Sequence, residues 1–497
     1  MRHNQIMLRP TRSPHALALL VALGLTVPLL ARPAAAQEEV KVKSLAAPDY
    51  FSGPVADTGL GADLWKDTAP DIMRDVLPKL ASPKPLSPAF ASLARRLLST
   101  GANGPAGVGD NVEMGAQRGL ALIALGEAKG ADAILDRATG AASSAALSMA
   151  SAEAALITGD DDQACRVQDA LTVDRGAAYW LRLRAFCQLK AGQADAAQLT
   201  FQLAQQQTKD ADYARLMGAA LAGTAPGAAS LKNGVNYALS RRLNLDIQSA
   251  AAIASASPAL KPLIAPRGGD LAGVAPGADL TAAEAADVAF LRQAKTLPAF
   301  VEAAQASAAS IATLAHAGGP LQDPVLLARA ALASGDVASA QAIRGRLTGD
   351  TVPGATPADL AILDALIAAG SGKVDNQVLG NLVARGVSSG AKTQAAAVLL
   401  ASLGGTLDAD ARAQFASFDL GKPAASAARI LVLEDAGAAK RKGEAGLLAL
   451  SIAVDAGATG PQPVDRARIA QALNRAGLSA DARAIVVEGL LGLAFVK

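Results

Sequence analysis

His316 would have to carry most of the side-chain chemistry this chain could perform. The chain has three histidines, and His3 and His15 lie in an N-terminal stretch built like an export signal. A histidine-based zinc site needs two or more histidines, or histidine with cysteine. A Ser–His–Asp triad would need His316 as its base. The surrounding TLAHAGGP instead predicts a helix C-terminus, where an imidazole can meet unpaired backbone carbonyls. No H-E-x-x-H or Walker-type stretch is present. Asp160-Asp161-Asp162 follows Gly159, but the alternating ligands, central glycine and closing glutamate of a calcium loop are missing. The triplet reads as a helix N-cap with favourable charge in the first turn. The basic clusters Arg182/Arg184, Arg241-Arg242, Arg344/Arg346 and Lys440-Arg441-Lys442 are short and read as solvated faces. Cys165 and Cys187 are not a C-x-x-C pair, so redox catalysis is not expected. They are either bonded to each other or two buried thiols.

These residues sit in a chain that reads as helical almost throughout. Alanine and leucine recur at helical period, β-branched alternation is rare, and only 3% of residues are aromatic. Residues 1–36 read as a secretory signal peptide. Arg2, Arg9 and Arg12 form its basic start, and residues 16–31 are an apolar run shorter than the ~20 residues that span a bilayer. Ala34-Ala35-Ala36 offers a cleavage site, with the cut expected between Ala36 and Gln37. No lipobox is present, because the first cysteine is Cys165, and no stable transmembrane segment is expected after cleavage. The formal charge is +2, and the signal removes Arg2, Arg9, Arg12 and Arg32 but no acid. A near-neutral mature chain argues against a nucleic-acid partner, which would need a basic surface.

Residues 37–62 read as an extended arm in which Asp49-Tyr50-Phe51 could dock locally. One or two short helices are expected over 63–80. Ser82-Pro-Lys-Pro-Leu-Ser-Pro88 is a breaker, and a helix is expected over Pro88–Ser99. From 63 to 223 the chain reads as a first array of helical hairpins. Between 224 and 280 repeated Gly and Pro interrupt the pattern, with one helix expected over 234–255. This stretch is the candidate break between two halves. A second array is expected over 281–497, opened by a capping box at Thr281 and Glu284.

The clearest hairpin spans 179–204, YWLRLRAFCQLKAGQADAAQLTFQLA. Leu181, Ala185 and Leu189 line one helix; Ala197, Phe201 and Ala204 line the other. Trp180, Leu183, Ala185, Gly192, Ala197 and Phe201 resemble the W-x2-L, turn-glycine and A-x3-F pattern of a tetratricopeptide repeat. The resemblance departs at Cys187, where the family has Tyr, and lacks the closing proline. A small residue seven before a glycine and an alanine five after recur at Gly126, Gly159, Gly192, Gly335, Gly404 and Gly477. Gly370 and Gly437 keep the interval of ~34 residues but fail that template.

The resemblance implies an all-α fold, a right-handed α-solenoid of stacked helical hairpins. In such a stack Cys165 and Cys187 lie on neighbouring helices, and export exposes them to an oxidising compartment, so a disulfide is expected. The function expected is that of an exported periplasmic scaffold or adaptor that binds another protein. It would have no catalysis, cofactor or metal. The alternative is a helical scaffold of a cell-envelope enzyme, such as one acting on peptidoglycan.

Overall fold

The computed structural model describes residues 49–53, 58–82, 84–264, 280–347 and 355–495. The expected signal segment, its Ala36–Gln37 junction and most of the arm lie outside these residues. Among the described residues there are 24 α-helices and no strand. Helix starts follow local chemistry. Asp160, Asp210 and Asp336 each accept a hydrogen bond from a backbone N–H three residues on. Pro70, Pro88, Pro324, Pro357 and Pro463 open helices, where a missing N–H costs nothing.

The glycine template separates turns from helix interiors. Gly126, Gly159, Gly192, Gly335, Gly404 and Gly477 all lie between two helices with positive φ. Gly192 illustrates the need: its φ of 77° follows helix Ala178–Lys190 and precedes helix Ala194–Gln207. The two glycines that fail the template, Gly370 and Gly437, lie inside helices Pro357–Ser371 and Ala427–Ala438. There they permit contact rather than a turn. A Cβ on Gly437 would stand 2.5 Å from the Ala472 carbonyl oxygen. The template alanines are buried except Ala409, which is exposed after the Gly404 turn.

Two local expectations are corrected. The helix expected over 234–255 is two, Gly234–Arg242 and Ala250–Ser255, parted where Asn244 takes a φ of 52°. Helix Thr281–Gln293 begins with Leu280 at its cap position, and Glu284 accepts from the Gln322 N–H at 2.6 Å instead of returning to its own cap. The complete capping box is at Thr356 and Asp359. Helix Pro88–Ser99 has the bounds its sequence predicts.

The described residues fall in one compact unit, 47–497. Between Val112 and Arg242 successive helices pack on their neighbours, and helix Gly234–Arg242 folds back on Ala145–Thr158 and Ala178–Lys190. Elsewhere packing departs from chain order. Helices Pro70–Leu80 and Pro88–Ser99 pack on Lys442–Ala456, and Pro88–Ser99 also packs on Ser479–Gly492. Residues 443–454 are all buried, and Gly443 and Gly446 admit Trp65 and Leu97 at distances a Cβ would close to 2.5 Å. A helix apolar on every side belongs in the interior of a large unit.

Two apolar cores result. The larger runs from Phe51 and Trp65 through Leu97 to Leu491. The smaller is built on Trp180, Phe186, Tyr213 and Leu239. Helix Ala145–Thr158 joins them, giving Leu147, Ala150 and Ala154 to the first and Ala152, Ala155 and Leu156 to the second. The Asp49-Tyr50-Phe51 segment docks as its sequence allows. Arg118 donates to the carbonyls of Tyr50, Leu98 and Thr100 and lies 5.2 Å over the Phe51 ring. Burial lowers its pKa to about 10, partly offset by Asp49.

Candidate functional site

The smaller core carries the residues singled out by the repeat resemblance. Trp180, Leu183, Ala185 and Ala197 are buried, and Phe201 is partly buried beside Tyr213, ring centres 5.7 Å apart. Cys165 on helix Asp161–Ala170 and Cys187 on Ala178–Lys190 form a disulfide, with Cα atoms 5.6 Å apart. The bond ties two neighbouring helices, as stacking predicts.

The charged residues that could have made a site are engaged within the fold. The Asp160 carboxylate caps its helix at 2.8 Å from the Gln163 N–H. Asp161 accepts from Arg241 and Asp162 from Lys190, both at 2.5 Å. Arg182 pairs with Asp210, Arg184 donates to the Arg175 carbonyl, and Arg344 holds Asp364 at 2.7 and 3.0 Å. Arg346 reaches the carbonyls of Leu314 and Ala315, and Arg441 pairs with Asp435. At least one arginine of each basic cluster is thus engaged within the fold, while Arg242 and Lys440 stay exposed as expected of a solvated face. His316 lies in the last turn of helix Ala308–Ala317.

Residues 386–390 read G-V-S-S-G and so match the G-x-S-x-G pattern of a nucleophile elbow, a motif not expected in this chain. That motif needs its serine on a strand-to-helix turn. Here Ser388 is in the last turn of helix Asn376–Ser389 and donates to the Arg385 carbonyl at 3.2 Å. The pattern is met in letters and not in geometry.

One helix of the smaller core leaves apolar side chains on its surface. Helix Ala194–Gln207 turns Ala197, Thr200 and Ala204 inward. Its opposite side exposes Leu199 at 62% and Leu203 at 45%, one turn apart. Gln198, Gln202 and Gln206 are exposed around them, and Asp195 is the helix's one charged residue. Leu199 and Leu203 thus form an exposed apolar pair on the stripe that Asp195 begins.

One half-buried acid beside the smaller core, Glu153, has no ion pair among the described residues. Glu153 accepts from the Gly234 N–H at 2.9 Å, at the start of a helix, with the Tyr179 hydroxyl as its other polar neighbour. Burial raises its pKa above the usual carboxylate value, and the two donors oppose that rise. An acid raised on folding holds its proton to higher pH in the folded state. Its contribution to stability therefore falls as pH rises from the unfolded value through the raised one. Glu153→Gln keeps an oxygen for Gly234, so at neutral pH it is expected to raise the melting temperature by about 1–2 °C. It should also flatten the loss of stability across the mildly acid range. A lower melting temperature at neutral pH would show that the charge is stabilising.

The chain matches no protein-family model, no curated protein and no solved structure.

Proposed function

We propose that this chain is an exported, non-catalytic helical scaffold of the bacterial envelope that binds another protein, working as tetratricopeptide-like arrays do. The observation that carries the reading is the exposed Leu199–Leu203 pair on a helix whose one charged residue is Asp195. An apolar face of this kind suits a partner's helix or extended segment. One observation supports export. The Cys165–Cys187 disulfide suits an oxidising compartment. No described helix is long and apolar enough to cross a membrane. The envelope space is then the natural site of action.

The test places a photo-crosslinking residue at position 203 of the full chain in its native host, with position 410 as an exposed control on another helix. One product is expected at 203 and not at 410, and Leu199→Asp should abolish it. Because Leu199 is so exposed, that substitution should change stability by no more than about 0.5 kcal/mol. Equal products at both positions, or a product at 203 unaffected by Leu199→Asp, would overturn the reading. Cleavage of cell-wall glycan by the purified chain would favour the enzyme alternative.

A further inference from the structure

We propose that a cleft among the late helices is a binding site for a small apolar monocarboxylate, held through Arg483. This inference does not rest on the leucine face or on the scaffold reading. The cleft has a volume of about 340 Å³. It lies where helix Ser479–Gly492 meets the start of Pro88–Ser99, helix Leu297–Ala306 and the turn after Pro324–Ala333. Its walls are apolar: Val301, Leu332, Val337, Val487 and Leu491. Gly370 keeps one wall open, since a Cβ there would come within 3.0 Å of Val337.

Among the polar side chains of the cleft, Glu488 and Ser334 are engaged, while Arg483 and the exposed Gln305 have no hydrogen bond among the described residues. Glu488 accepts from Ser87 Oγ at 2.6 Å, from the Ala89 N–H at 2.5 Å and from Arg466 at 2.7 Å, so its charge is neutralised. Ser334 Oγ donates to the Ala331 carbonyl at 2.9 Å. Arg483 is different. It is half-buried, and its side chain lies against Gly372, where a Cβ would sit 3.2 Å from Cδ. No ion pair or hydrogen bond among the described residues holds its guanidinium. Asp481 is already paired with Arg96 and exerts only a weak attraction on Arg483.

A half-desolvated guanidinium beside apolar walls selects an anion that also carries an apolar body. A carboxylate fits its two-pronged donor geometry. An amino-acid zwitterion is disfavoured, because its ammonium would need an acid and Glu488 is already neutralised by Arg466. A medium-chain fatty acid and the terminal residue of a peptide both present this chemistry.

The experiment is calorimetric titration of the full mature chain with octanoate, N-acetyl-leucine and, as a neutral control, 1-octanol. At least one carboxylate is expected to bind, and 1-octanol to bind at least about tenfold more weakly. The tighter of the two carboxylates identifies the source, fatty acid or peptide terminus. Arg483→Gln should weaken binding by about tenfold or more, while Arg483→Lys, which keeps the charge, should fall between. Val487→Trp, which fills the cleft, should abolish binding. Thermal melts of the three variants verify that each is folded. Absence of binding by either carboxylate would overturn the proposal. So would equal binding of octanoate and 1-octanol, or wild-type affinity in folded Arg483→Gln.

Discussion

Arg466→Met is expected to destabilise the folded chain by about 3–5 kcal/mol, because it leaves Glu488 charged and buried without its cation. The pair is deep, with Arg466 3% and Glu488 4% exposed. The Arg466 guanidinium also donates to the carbonyls of Pro461 and Thr459, both at 2.8 Å, and lies 5.7 Å from the Phe90 ring centre. Glu488 in turn holds Ser87 and Ala89 at the start of helix Pro88–Ser99. The pair therefore fastens an early helix to a late one. Chemical denaturation reads the loss, and hydrogen exchange should show faster opening of Pro88–Ser99 than of helices in the smaller core. The double variant Arg466→Met/Glu488→Leu removes both charges and should recover much of the loss. A double variant as unstable as the sum of the two singles would show that the charges do not act as a pair.

Loss of the Cys165–Cys187 bond is expected to lower stability by roughly 3 kcal/mol in the chain-entropy picture, for a closed loop of 22 residues. The effect should be local. The bond ties helices Asp161–Ala170 and Ala178–Lys190, and both belong to the smaller core. Cys165→Ser/Cys187→Ser should therefore speed hydrogen exchange between 145 and 242 while protection around Leu447–Leu450 stays high. Thiol titration of the unfolded, unreduced chain should find no free thiol. Unchanged protection in the smaller core after reduction would show that apolar packing alone holds it.

Much of the local structure is legible in the amino-acid order because it depends on neighbours in the chain. Alanine and leucine at helical period dictate helices. Small residues set about a glycine distinguish a turn such as Gly192 from a packing glycine such as Gly437, since only a hairpin needs close approach on both sides of its turn. The disulfide follows from the same local logic, because its two helices are adjacent in the hairpin order.

The Arg466–Glu488 junction and the Arg483 cleft are not legible in this way. Glu488 and Ser87 lie 401 residues apart, and helical periodicity states which face is buried without stating against what. The basic clusters show the same limit. Arg241 and Arg344 look solvated until the fold brings Asp161 and Asp364 to them. By itself the sequence indicated the helices and glycine turns of the described residues through short-range geometry, and a Cys165–Cys187 pairing through the repeat resemblance. Only the tertiary structure decided which early helix meets which late one, and so which buried charges are paired and which arginine is left facing an apolar cleft. Those outcomes depend on contacts among segments hundreds of residues apart, which no local pattern encodes.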